Sequence, residues 1–239
     1  MNPASSPVAP GSLMSIFGSG LSTTIQSAST VPLSVSVGDV SSVTVAGTNA
    51  PVLVVSPGQI TAQVPWEAVP GPADLVVTNS AGASQTVSVT VAEFAPMILT
   101  LNFGTTAQAY VINQDGTLNG SGTVLGSIPT ATAHAENSGN NITIYATGLG
   151  PVSSPPPDGS PSSDQPRPTL NTPFVTIGGV FANVVSSGLS AQYPGVYAVV
   201  VTVPFGITLG NDVPIQIQMS DAATGNSGSS TNLATMASR

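Results

Sequence analysis

The chain contains no lysine, and its only arginines are Arg167 and Arg239. Against ten acidic residues this leaves a net charge of -8. Nucleic-acid binding needs rows of cations to displace phosphate counterions, so that function is excluded. Anionic membrane surfaces are excluded on the same ground. Cysteine is also absent, and there is one histidine, His134. No disulfide framework and no cysteine- or histidine-rich zinc site can therefore form. Charged residues are 5% of the chain, against about 25% in an average soluble domain. No apolar run approaches the roughly 20 residues of a membrane span, and no membrane insertion is expected. Met1 is followed by Asn-Pro-Ala-Ser-Ser, without the basic start and apolar core of a signal peptide. An exported protein would be expected to reach this form after trimming.

The 239 residues include 25 glycines and 22 prolines, and 41% are hydrophobic. That mixture favours short strands joined by many turns, with enough apolar material for two cores. No long segment has a helical period. Many segments alternate instead. In Thr86-Val87-Ser88-Val89-Thr90-Val91 the valines fall on one face and the hydroxyls on the other, as in a strand buried on one side.

One pattern occurs twice. Ser15-Ile16-Phe17-Gly18-Ser19-Gly20-Leu21 returns as Thr143-Ile144-Tyr145-Ala146-Thr147-Gly148-Leu149. Val43-Thr44-Val45 returns as Val175-Thr176-Ile177, and Val64-Pro65-Trp66 as Val203-Pro204-Phe205. Echoes in the same order mean two copies of one β-rich unit. With about seven short strands per copy, the expected fold is all-β: two tandem immunoglobulin-like antiparallel sandwiches. The expected boundaries are an extended lead over residues 1–11, a first sandwich over 12–92, a connector with a β-hairpin over 93–139, a second sandwich over 140–220, and a polar tail over 221–239. The tail, rich in Ser, Ala, Thr, Gly and Asn, reads as disordered. The Pro/Ser/Asp-rich loop from Pro151 to Pro173 reads as polyproline-like or mobile.

Four motifs carry a resemblance. They are Pro10-Gly11-Ser12-Leu13 into Ser15-Ile16-Phe17-Gly18, the run Val55 to Glu67, the run Val111 to Asn119, and Ile144-Tyr145-Ala146-Thr147-Gly148-Leu149-Gly150-Pro151. Together they resemble the uncharacterised C-terminal region of secreted Solibacter-type proteins of Acidobacteria. The glycine-leucine entry strand of each repeat is similar to the IPT/TIG type of immunoglobulin-like domain. The resemblance implies export and tandem β-sandwiches, and it brings no catalytic residues with it.

The residues themselves offer little chemistry. His134 lies in the connector, and no G-x-S-x-G elbow accompanies it. Glu67 and Asp74 flank a Pro/Gly turn and read as solvated acids, because catalytic carboxyls need burial and a partner. Asn113, Asp115, Asn119 and Ser121 set oxygens around a glycine turn, loosely like a calcium loop. The bidentate acid of such loops is missing, and a structural hairpin is the expectation there. Trp66, Tyr193 and Tyr197 are the candidate ligand-contact aromatics. The recurrence of Trp66 as Phe205 also fits a packing plug.

No catalytic, cofactor or metal residues are therefore assigned, and the chain is expected not to be an enzyme. The expected role is structural or adhesive, outside a bacterial cell at its surface or matrix. Edges without lysine are open to partner strands, so copies of the chain or neighbouring surface proteins are the expected partners. Fibres would form by strand addition, with residues 1–11 and 220–239 as donors. The alternative is a carbohydrate-binding accessory module of a secreted protein, with polysaccharide as partner.

Overall fold

The computed structural model describes residues 6–103, 106–120, 133–230 and 234–239. Among them there is no helix. The strands form four sheets in two units. Unit 1 is Met1–Ala95 with Gly148–Leu170 and Leu189–Val196, and unit 2 is Pro96–Thr147 with Asn171–Gly188 and Tyr197–Arg239.

Unit 1 contains β1 (Leu13–Phe17), β2 (Gln26–Ser27), β3 (Val40–Val45), β4 (Thr48–Asn49), β5 (Val52–Val55), β6 (Gln59–Gln63), β7 (Gly71–Asn79), β8 (Gly82–Ala83) and β9 (Val87–Val91). One sheet runs β1-β6-β5-β2, and the other runs β4-β3-β7-β8 with β9 also on β7. Val43, Val45, Val55, Ile60, Leu75 and Val89 meet between them in one buried cluster. In β9, Val89 and Val91 are buried while Ser88 and Thr90 face solvent, the alternation the sequence showed.

Unit 2 contains β10 (Met97–Ile98), β11 (Thr100–Phe103), β12 (Thr106–Ala109), β13 (Val111–Ile112), β14 (Asn141–Thr147), β15 (Phe174–Ile177), β16 (Val180–Ala182), β17 (Val184–Leu189), β18 (Tyr197–Thr202), β19 (Gly210–Ser220), β20 (Ser227–Ser229) and β21 (Ala234–Ser238). One sheet runs β10-β14-β18-β17 with β13 on β14, and the other runs β11-β12-β21-β19-β15-β16 with β20 on β19.

The repeat is exact at the level of register. Ile16 pairs with Ile60 in unit 1, and Ile144 with Val199 in unit 2. Val43 pairs with Val77, and Val175 with Ile217. The β3–β4 turn places Ala46 and Gly47 at φ 50° and 81°, and the β15–β16 turn places Gly178 and Gly179 at 59° and 78°. Two positive φ values in a row are what a two-residue hairpin needs to follow strand twist. The repeated positions Ile16, Leu21, Val45, Val64, Ile144, Leu149, Ile177 and Val203 are all buried. Leu149 belongs to unit 1 and is wholly buried. Leu149→Ala is expected to cost about 2–5 kcal/mol. Urea unfolding checks this, and a loss under about 0.5 kcal/mol would remove Leu149 from the core.

Three segments depart from the sequence reading. The lead does not stand apart: Val8 N–H donates to the Thr90 carbonyl at 2.9 Å and Val8 carbonyl accepts from Ala92 at 2.8 Å, beside β9 in parallel. The tail is also in a sheet. β21 pairs antiparallel with β19, joining Val213 to Met236 and Ile215 to Ala234. It is the counterpart of β9, which joins Ala73 to Val89. Glu136 then takes the place of Val8, bridging Ser238 in parallel. The connector supplies β10 to β13, four strands of unit 2, and reaches β21 through Gln108 and Thr235.

The proline-rich loop is fixed by polar bonds rather than mobile. Arg167 is buried, its Nε donating to the Ser154 carbonyl at 2.7 Å and its Nη atoms to both oxygens of Asp164 at 2.5 and 3.0 Å. Gly159 N–H donates to Gln63 Oε1 at 2.6 Å, and its carbonyl accepts from Leu33 N–H at 2.9 Å. A single buried guanidinium with several acceptors can organise a loop that has little apolar material of its own.

Candidate functional site

The aromatics singled out by sequence have three different fates. Tyr197 is fully buried in β18, in alternation with Val199 and Val201, and burial pushes its phenol up. It offers no ring to a ligand. Trp66 is half-buried in unit 1, with its indole lying so close on Gly11 that a Cβ there would overlap it. Its backbone N–H donates to Asp158 Oδ1 at 3.0 Å. Trp66 thus packs as the repeat suggested, while its counterpart Phe205 is 77% exposed and plugs nothing. Tyr193 is 42% exposed and its N–H donates to Ser190 Oγ at 3.2 Å. Glu67 stands beside Asp158, whose carboxyl is pushed up by burial and by Glu67.

The connector hairpin gathers the polar groups of unit 2. Asn119 is fully buried: its Nδ2 donates to Asn113 Oδ1 and to the Ala237 carbonyl, both at 2.9 Å, and its Oδ1 accepts from Ala237 N–H at 2.8 Å. His134 Nε2 lies 2.8 Å from Asp115 Oδ2 and 3.1 Å from Thr117 Oγ1. The buried Glu136 carboxylate accepts from Gln114 N–H at 2.9 Å, Asn137 N–H at 2.9 Å and Asn140 Nδ2 at 2.8 Å. Of the four residues considered for calcium, Asn113, Asp115 and Asn119 spend their side chains on these bonds, and Ser121 lies outside the described residues. No trio of His, Cys, Asp and Glu stands close enough to hold a metal among the described residues. This arrangement ties the hairpin to the last strand.

Its pH dependence has a defined sign. Burial pushes Glu136 up, but the three donors outweigh it and hold the group below its ordinary 4.5. Its contribution to folding is complete above pH 4.5 and is lost as pH falls through the lowered value. Asp115 behaves alike below its ordinary 3.8, held down first by the Thr117 hydroxyl and then by His134. His134 is raised above 6.5 by the Ala135 carbonyl and Asp115, so its contribution is complete below pH 6.5 and lost as pH rises through the raised value. All three groups act together between pH 4.5 and 6.5. Protection factors for the Gln114 and Thr117 amides are expected to peak in that window. A flat profile between about pH 3 and about pH 8 would separate the hairpin from these ionisations.

A further pair of aromatics, which the sequence reading passed over, lies exposed on unit 2. Phe174 and Phe181 are 48% and 53% exposed on the outer side of β15 and β16. Their ring centroids are 5.1 Å apart and their planes 35° from parallel. Register sets Phe181 beside Thr176, Thr176 beside Gln216, Phe174 beside Gln218, and Gln218 beside Ser229. Two rings thus lie level with two amides and two hydroxyls on one sheet face. β15, β16 and β20 contain no charged residue. A signal was present: in Phe174-Val175-Thr176-Ile177 the two aliphatics point inward, so the phenylalanine must point out.

The family model for the IPT/TIG domain matches residues 1–94, the span that holds β1 to β9. No curated protein matches the chain. Among solved structures it is similar to the SGBP-B protein of the Bacteroides ovatus mixed-linkage glucan utilization locus, in complex with a mixed-linkage heptasaccharide. That match has 13% identity and a TM-score of 0.38, covering 100% of this chain and 45% of the other. A second likeness is to the gamma-CGTase of an alkalophilic Bacillus clarkii, with 14% identity and a TM-score of 0.28, covering 98% of this chain and 26% of that one. The chain thus spans less than half the length of either.

Proposed function

We propose that this is a non-catalytic protein that works outside the cell and binds polysaccharide through the Phe174–Phe181 face of unit 2. The observation that carries the reading is that pair of exposed rings level with Gln216, Gln218, Thr176 and Ser229. Exposed apolar rings on a polar sheet face mark interaction sites. Sugar rings present C–H faces to an aromatic and hydroxyls to amides, which suits this mixture. With so few charges in the chain, the matching ligand is a neutral polysaccharide rather than an anionic one. The single imidazole–carboxylate pair is occupied in holding a hairpin, which supports a non-catalytic role. Strand exchange into fibres is the weaker reading, because Val8 of the lead and β20 and β21 of the tail pair within their own units.

Affinity electrophoresis tests this against a panel of mixed-linkage β-glucan, xylan, galactomannan, amylose and the anionic polygalacturonate. Retardation by at least one neutral polymer and none by polygalacturonate is expected. Phe174→Ala with Phe181→Ala should weaken binding roughly 30-fold, as central aromatic contacts do. Unfolding should shift by only about 0.5 kcal/mol, since both side chains are half-exposed. Unaltered retardation of the double variant would place binding elsewhere.

A further inference from the structure

The other sheet of unit 2 carries a second aromatic pair, on its own outer side. Tyr110 and Tyr145 stack with ring centroids 4.8 Å apart and planes 22° from parallel. Tyr145 is the outward residue of β14 between buried Ile144 and Ala146, and its N–H donates to the Tyr110 carbonyl at 3.0 Å. Both side chains are half-buried. Thr143 follows on the same side of β14, and register sets Ala198 beside Tyr145, Val200 beside Thr143 and Thr202 beside Asn141. The strands of this sheet, β10, β13, β14, β17 and β18, contain no Asp, Glu, Lys, Arg or His.

The repeat adds an independent observation. Position 145 corresponds to Phe17 in unit 1, which is 60% exposed. Phe17 pairs with Gln59, whose Nε2 donates to Ser15 Oγ at 3.3 Å. An aromatic therefore faces outward at this position in both copies, although the core has no use for it there. In unit 1 it is a single ring. In unit 2 Tyr110 makes it a pair, with phenolic hydroxyls able to donate and accept.

We infer that the Tyr110–Tyr145 face is a second site for a neutral polysaccharide, so that the sandwich of unit 2 grips one chain on each outer face and bridges them. The inference rests on the polysaccharide reading above. The two faces look outward from opposite sheets of one sandwich, whose sheets are themselves about 10 Å apart through the core, so one short oligosaccharide cannot occupy both. Bridging makes the protein a cross-linker of polymer chains, with apparent affinity for a polymer raised by the two-site attachment.

The full chain is titrated with oligosaccharides of about seven sugars from the four neutral polymers, and mixed with the polymers themselves. For a polymer that binds, two oligosaccharides per chain are expected, together with turbidity of the polymer mixture. Tyr145→Thr and, separately, Tyr110→Thr should reduce the count to one and clear the turbidity while leaving circular dichroism unchanged. The Phe174→Ala, Phe181→Ala variant should also leave one, and combining it with whichever tyrosine variant folds should leave none. A count of one in the wild-type chain overturns the second site and leaves the polysaccharide reading standing. A count unchanged by the folded tyrosine variant does the same. Failure of the wild-type chain to bind any of the four polymers overturns both.

Discussion

Deleting residues 227–239 is expected to unfold unit 2, leaving one cooperative transition where the intact chain should give two. The reason lies in β21. Ala234, Met236 and Ala237 are buried, and the strand supplies a ladder to β19 and a bridge to Glu136. Losing one buried methionine costs about 2–5 kcal/mol. The broken ladder exposes Val213 and Ile215 as well, so the total approaches the roughly 5–15 kcal/mol that holds a whole domain together. Calorimetry of the truncated chain decides the matter. If both transitions survived and only self-association were lost, the tail would be a donor strand after all.

Gly148→Ala is expected to destabilise unit 1 far more than Gly20→Ala, although the two glycines occupy the same place in the repeat. Both have positive φ, 66° at Gly20 and 74° at Gly148. Alanine in that left-handed conformation costs about 1 kcal/mol at either position. Around Gly20 there is open space, whereas a Cβ on Gly148 would overlap the carbonyl oxygen of Ala95. Backbone cannot step aside as a side chain can, and overpacking adds about 1–3 kcal/mol. Gly148→Ala should therefore lose about 2–4 kcal/mol in urea unfolding. Equal losses at the two sites would mean that φ strain alone governs both.

The parts of the fold that could be read in advance are those where local pattern and burial coincide. Val43-Thr44-Val45 and Val175-Thr176-Ile177 declare their inner faces by alternation, and the recurrence of Gly20-Leu21 as Gly148-Leu149 declares the duplication. β20 and β21 were hidden because Ser, Thr, Ala and Gly carry almost no local preference for a strand. Their order comes from pairing with β19 and not from their own composition. The loop holding Arg167 was hidden for a related reason, since its proline content describes the unbonded chain and not the acceptors that a buried guanidinium collects. At the candidate site, Tyr197 was misplaced because an aromatic at a strand start gives no sign of which face it takes. The alternation of Val199 and Val201 does. Phe174 and Phe181 could have been found by the same rule, applied outward instead of inward.

In unit 1 the last strand runs parallel to the chain that enters the unit, at Val8 beside Val91, and in unit 2 β21 runs parallel to the chain just before β14, at Glu136 beside Ser238. Tension applied to unit 1 between Val8 and Ala92 would draw these two neighbours past each other lengthwise. The hydrogen bonds between them, Val8 to Thr90 at 2.9 Å and Ala92 to Val8 at 2.8 Å, would then be loaded in shear and share the force, instead of opening one at a time like a zip. The first sandwich is thus clasped where a pull on its ends is felt first, a mechanical resistance that neither a cysteine nor a lysine is needed to provide.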